Sequence, residues 1–206
     1  MFQIACFPHL QQPPCTGRPE ADCEAFLLLH GKQATAVHSR EVARQAEALA
    51  QRFGCPVSLV RHAAWLHDIS AVLSPDEMQA YAQSQAWDWD PAEQAHPFLL
   101  HQRISADMAQ SLWAVRDSRV LSAISCHTTL KADPSLADML VFLADKLAWD
   151  QSGAPPFFQV VHEALDRSPA HASLAYIDYV LDHGMILSPH HLLLQARAWL
   201  RDACLA

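Results

Sequence analysis

Apolar residues recur along most of the chain at the spacing of one helix face. In AVHSREVARQAEALAQRFG, Val42, Ala46, Leu49 and Phe53 fall at i, i+4, i+7 and i+11, and Gly54 supplies a C-terminal stop. Four residues before Val42 stands His38, so that histidine belongs to the buried stripe. A short helix is expected over 24–30. AAWLHDIS, residues 63–70, reads as a buried helix that Ser58 can cap. Ser74-Pro75-Asp76-Glu77 is a capping box with proline at the first helical position, and Asp90-Pro91-Ala92-Glu93 repeats that grammar. Pro97 opens PFLLHQRISADMAQSLW, which sets His101 near Leu100 and Ile104. Asp117 or Ser118 opens RVLSAISCHTT, where Val120, Ile124 and His127 share a face. Pro134-Ser135 opens LADMLVFLADKLAWD, apolar nearly all round and therefore central. There Asp145 falls four residues after Val141 and three after Phe142. Two more helices are expected after Ser168-Pro169, ending at Gly184, and after Ser188-Pro189.

Residues 1–20 hold Pro8, Pro13, Pro14, Pro19 and Gly17 and read as an irregular arm. No repeat, linker or alternating strand pattern interrupts the rest. The expected fold is all-α, a single helical bundle of about eight helices over 21–206.

Within this apolar pattern some polar groups face inward. His67 and Asp68 sit side by side where more core is due. Burying an imidazole beside a carboxylate costs several kcal/mol unless a charge or hydrogen bond compensates. His38, His67, Asp68 and Asp145 come from three helices, and each lies on or beside an apolar stripe. One divalent cation satisfies all of them together, because neutral imidazole and carboxylate are suitable ligands. Adjacent helical residues diverge by about 100°, so His67 and Asp68 can grip an ion between them. The mixed nitrogen and oxygen set suits iron, manganese, cobalt or zinc better than calcium, and leaves positions for water and substrate. The competing reading is four separately satisfied core polars.

Composition narrows the partners. The net charge is −8 with no dense Lys/Arg patch, which argues against nucleic acid and anionic membranes. A small anionic substrate is compatible if a local positive centre offsets the field. The six cysteines show no C-x-x-C spacing and read as reduced thiols. MFQIACFPHL lacks a basic leader, and no apolar run approaches the ~18 residues of a membrane span, so a soluble cytoplasmic protein is expected. Thirteen histidines are present where average usage gives about four or five. Most of the others flank helix ends or loops and need no special role. A zinc set of His9, Cys15 and Cys23 is a minor alternative. Trp149, four residues past Asp145, is a candidate for stacking on a nucleobase.

The order H…HD…D, carried by His38, His67-Asp68 and Asp145, resembles the HD-domain metal-dependent phosphohydrolases. With HSREVARQAEALAQRFG, PFLLHQRISA, ISCHTTLKADPSLADMLVFLADK and SPHHLLLQARAWL in order, the chain from about Thr35 to Leu200 is similar to their YqeK-like branch, the symmetrical diadenosine tetraphosphate hydrolases. The resemblance implies a metal, usually iron, on His38, His67, Asp68 and Asp145. It implies that His101 and His127 face the substrate phosphates, or a second metal in other HD proteins. Asp68 would orient the attacking water or take its proton, and Thr128 would add a hydroxyl or backbone donor. The implied reaction cleaves a dinucleoside polyphosphate in its middle, giving two nucleoside diphosphates. One departure stands out: Gln151 occupies the place of an arginine near the phosphates, and brings no charge. Lys131 and Lys146 are candidates to supply it. Alternatives are an HD phosphohydrolase for another small phosphate, such as a nucleoside monophosphate or cyclic nucleotide, and a nucleotide sensor with little turnover. The apolar residues of the last helix either cap the core or form a homodimer surface.

Overall fold

The computed structural model describes residues 2–149 and 153–205. Eleven α-helices account for most of them: α1 Pro19–Leu29, α2 Gln33–Phe53, α3 Val57–Leu66, α4 Pro75–Ser84, α5 Pro91–Ala95, α6 His101–Leu112, α7 Ser118–Ser125, α8 Leu136–Leu147, α9 Phe158–Leu165, α10 Pro169–Asp182 and α11 His191–Leu205. Three 3-10 turns, at Ile4–Cys6, Ile69–Val72 and Pro97–Leu100, complete the order, and no strand occurs among the described residues. The fold is all-α, as the periodicity implies, with more helices than about eight. The addition that no sequence signal announces is α9. It has no side-chain cap and buries only Val161 and Leu165, too short a pattern to declare itself.

Helix α8 is the hub. Leu140, Val141, Phe142, Leu143 and Ala144 are fully buried in succession, which requires neighbours on every side. Those neighbours are α2, α3, α7 and α10. Helices α9 and α11 pack against α10 from outside, and α11 buries Leu193, Ala196 and Leu200. At roughly 1.5–3 kcal/mol for each large apolar side chain buried, the four on α8 add to a core that every neighbouring helix shares. Residues 2–18 contain a single 3-10 turn, yet Phe2, Phe7 and Leu10 are buried. Phe2 and Phe7 stack at 5.1 Å and both reach Tyr81. No helix is long and apolar enough to cross a membrane, among the described residues.

Helix starts follow the expected caps at Ser74, Asp90, Asp117, Ser135 and Ser168. Two starts differ. Helix α3 begins at Val57 behind Pro56, so Ser58 lies inside its first turn and caps nothing. Helix α11 begins at His191, two residues beyond Pro189, because its cap comes from elsewhere. The Asp90 carboxylate that caps α5 through Ala92 also accepts the His191 N–H at 3.0 Å.

Candidate metal centre

Helix α3 stops at Leu66, one residue short of the His-Asp pair. His67 is its C-cap and Asp68 leaves helical geometry at φ −110°, ψ 20°. The pair therefore projects from a helix end, and the ~100° helical divergence does not apply. The change has a cause in the next residues. Ser70 donates its hydroxyl to the His101 carbonyl at 2.9 Å and its backbone N–H to Ser105 Oγ at 3.2 Å. These bonds pull the chain out of the helix toward α6.

Four histidines and two aspartates meet beyond this end. Three of the rings are locked in the same way. His67 Nδ1 lies 2.7 Å from the Ala64 carbonyl, His101 Nδ1 2.6 Å from that of Phe98, and His127 Nδ1 2.7 Å from that of Ile124. A carbonyl only accepts, so each Nδ1 carries the proton, and in the neutral ring Nε2 is left as a lone pair. Those lone pairs converge. His67 Nε2 is 3.4 Å from Asp68 Oδ2 and 3.5 Å from Asp145 Oδ1, and Asp145 Oδ1 is 3.0 Å from His38 Nε2. On the other side Asp68 Oδ1 stands 3.4 Å from His127 Nε2 and 3.5 Å from His101 Nε2. Asp68 thus bridges two groups.

The residues fit a divalent cation. His67 Nε2 is wholly buried and makes no hydrogen bond among the described residues. Ligands at about 2.1 Å from one ion lie about 3 Å apart when adjacent, the spacing observed here. Sets that could share an ion are His38 with His67 and Asp145, and His67 with Asp68 and His127. Helices α3, α7 and α8 also present their C-terminal ends to the cluster, carrying His67, His127 and Asp145. Their partial negative charges favour a cation by roughly 0.3–1 kcal/mol each.

The electrostatics agree. Burial pushes His67 down, but the Asp68 and Asp145 carboxylates outweigh it and raise the ring to about 9. Burial would raise Asp68, yet His67, His127 and His101 hold its carboxyl well below the usual range. Asp145 is depressed in the same sense, against burial, by Lys146, His38 and His67. His127 goes the other way. Burial, with His67 and His101 nearby, brings it down to about 4 despite Asp68. Lys146 is raised, burial being outweighed by Asp145.

Thr128 Oγ1 lies 3.0 Å from His101 Nε2. Gln102, buried on α6, holds that turn in place by accepting the N–H groups of Thr128 and Thr129 at 3.2 and 3.3 Å. Sequence reasoning passes over Gln102, Ser70 and Ser105. The available signal is that Gln102 and Ser105 fall on the buried face of α6 beside Ile104 and Met108. Lys131 bonds Ser122 Oγ at 2.6 Å and approaches Asp138, away from the cluster. Lys146 Nζ bonds Asp145 Oδ2 at 2.6 Å. Trp149 packs edge-on against Phe157 at 5.8 Å. The zinc alternative is corrected: Cys23 is buried against the Trp65 carbonyl, Cys15 lies by Gln12 and Leu112, and His9 faces Glu77. Gln151 lies outside the described residues.

Two clefts open beside the cluster. One of about 230 Å³ includes Phe98, Leu99, Thr128, Thr129 and Leu193 in its wall. The other, about 350 Å³, includes His38, Asp145, Trp149 and Phe157. Lys146, Tyr176, Met185 and Ile186 line both and form the ridge between them.

A protein of Lactococcus lactis subsp. cremoris, described as an uncharacterized protein in the pepC 5' region, is 34% identical over 132 residues, 64% of this chain and 67% of that protein. The crystal structure of a predicted HD superfamily hydrolase involved in NAD metabolism from Clostridium acetobutylicum shares the fold. Its TM-score is 0.78 at 22% identity, covering 89% of this chain and 97% of that one. The HD domain matches residues 35–150, which hold all six converging side chains. By that match, over more than half of its length, the chain belongs to the HD domain family.

Proposed function

We propose that the protein is a cytoplasmic, metal-dependent phosphohydrolase that splits a nucleotide phosphoanhydride, with a dinucleoside polyphosphate as substrate and two nucleoside diphosphates as products. Iron is the favoured ion, with manganese, cobalt and zinc as alternatives. One observation carries the reading: lone pairs and carboxylates fit for a cation converge beside two clefts that share a wall. A phosphate chain linking two nucleosides has that plan, one arm for each cleft and the scissile bond between.

His38, His67, Asp68 and Asp145 would hold the ion. Such an ion would supply Lewis-acid polarisation of a phosphoryl oxygen and of the attacking water. Asp68 is held ionised, so it orients the water by accepting its hydrogen bond. His101 and His127 divide the remaining work. Their Nε2 atoms are 3.0 Å apart, and two lone pairs at that distance repel unless a proton lies between them. His127, brought down to about 4, stays neutral, so its Nε2 offers a lone pair to a proton held between the two rings. His101 is the more open of the two, 18% against 1% exposed, and Thr128 Oγ1 is beside it. It is therefore the residue that delivers a proton to the leaving phosphate.

The test is a nucleotide screen of purified protein loaded with Fe, Mn or Co. Release of two ADP from diadenosine tetraphosphate supports the proposal. The solved protein's description adds NAD to the screen, another two-armed nucleotide with a central phosphoanhydride. A different product would move the substrate to another small phosphate, and binding without turnover would make the protein a sensor.

A further inference from the structure

The two clefts are poor in positive charge for a site that would take polyphosphate. Among the described residues, Lys146 is the one lysine or arginine in the wall of either. The other candidates are committed elsewhere. Lys131 is tied to Ser122 and Asp138, Arg103 lies over the Trp87 ring at 4.1 Å, and Arg40 and Arg44 pair with Glu24 and Glu41. Lys146 sits on the ridge, its side chain 14% exposed, its ammonium 5.4 Å from the Phe142 ring centre and 6.0 Å from that of Tyr176. Among the described residues its carboxylate partner is Asp145 Oδ2, whereas Oδ1 faces His38 and His67. The two oxygens have divided tasks, and an ammonium has three protons, of which this bond takes one.

A charge count shows what the lysine adds. With a divalent ion in place, the two carboxylates cancel the ion, and the positive charge left comes from Lys146 and the proton held between His101 and His127. In a chain of net charge −8, Lys146 is the part of that charge that lies in the wall of both clefts.

We propose that Lys146 is the substrate-binding cation of the site, holding the phosphate chain where it crosses the ridge between the clefts. The inference rests on the phosphohydrolase reading, and binding measurements separate the two. Inorganic tripolyphosphate is titrated by calorimetry into metal-loaded wild type, Lys146→Met, Lys146→Gln and Lys146→Arg, with metal content and thermal unfolding measured on each. Loss of one charge-assisted contact predicts about 10- to 100-fold weaker binding for Met and Gln with metal retained. Arg should stay within a few-fold of wild type. With a cleaved nucleotide, KM should rise more than kcat falls. Wild-type binding by metal-loaded Lys146→Met or Lys146→Gln overturns the inference. So does weakened binding that excess metal restores, since Lys146 would then serve only to hold Asp145. Tripolyphosphate binding that depends on Lys146 in a protein that cleaves no nucleotide supports the inference and removes the hydrolase reading. A wild type that binds no tripolyphosphate removes both.

Discussion

His101 Nε2 and His127 Nε2 face each other at 3.0 Å, each ring fixed by the carbonyl three residues before it. Neither can turn away without abandoning that bond. The two Nε2 atoms leave room for one proton between them, and burial, aided by His67 and His101, holds His127 low.

Removing His101 should release its neighbour. His127 is held at about 4 by burial first, then by His67 and His101, with Asp68 pulling the other way. In His101→Ala, one repulsive partner disappears and Asp68 remains, so the His127 value should climb toward 6.5. An NMR titration of the metal-free protein reads this directly. An unmoved His127 resonance would mean that the rings do not share a proton.

The metal and a proton compete for His67 Nε2. Without metal, the folded ring is raised from 6.5 to about 9. A raised group stabilises the fold fully below its unfolded value and loses that contribution as pH rises through the folded one. The metal-free protein should therefore lose thermal stability between pH 6.5 and about 9. The metal-loaded protein should be flatter over that window, because the ion takes the proton's place. Parallel slopes for the two forms, in thermal melts across pH, would argue that no ion sits on His67.

Asp68→Ala should leave a folded protein with turnover reduced by about 10³-fold or more, since Asp68 bridges the ligand set and the histidine pair. His67→Ala removes a ligand but no water-orienting group, so its turnover should fall only as far as its metal content falls, whereas Asp68→Ala should lose more turnover than metal. Elemental analysis beside the rate assay distinguishes the two. Wild-type turnover in Asp68→Ala would sink the scheme.

Much of this centre was legible in the chain because helical periodicity is a strong signal. The stripe through Val42 and Ala46 marks His38, and the apolar run before Asp145 marks that carboxylate. What periodicity could not show is where helices stop. The apolar run through Ile69 looks helical, yet Ser70 and Ser105 bond across elements and end α3 at Leu66. The same limit hides the α11 start, whose cap is supplied by Asp90, 101 residues away. Long-range hydrogen bonds leave no local pattern.

Gln102 offers a test of such a bond. Its carbonyl accepts from Thr128 N and Thr129 N within one turn, while the Thr129 hydroxyl donates to the Leu130 carbonyl. In Gln102→Leu the two N–H donors are left unsatisfied, at about 1–3 kcal/mol for each one that stays buried and unpaired. The turn also carries His127, and Leu130 within it holds φ +57°, a costly conformation for a branched side chain. The variant should unfold at lower temperature and lose kcat more than metal, because the ligands on α2, α3 and α8 are untouched. Unchanged kcat in a destabilised variant would show that the turn needs no such anchor.

Asp90, His190 and His191 form a third group with metal-like spacing, but the Asp90 oxygens and both Nδ1 atoms are already bonded, and His190 Nε2 stands 3.5 Å from Glu93 Oε1. Asp90 Oδ2 accepts from both the N–H and the Nδ1 of His191, at 3.0 and 2.6 Å, while Oδ1 accepts from Ala92. His190 Nδ1 accepts from Leu192 N at 3.1 Å. The group is therefore a clasp between α5 and α11. Asp90→Ala removes two helix caps at once, about 1 kcal/mol each, which for a chain of this size lowers Tm by roughly 4–8 °C. Because His190 lines the smaller cleft, loosening the clasp should also raise KM while leaving metal content intact. A chelator should remove the stabilising ion from the main centre and make the Asp90→Ala penalty neither larger nor smaller. Were the penalty to vanish in the chelated protein, the clasp would have to be counted as a second metal site.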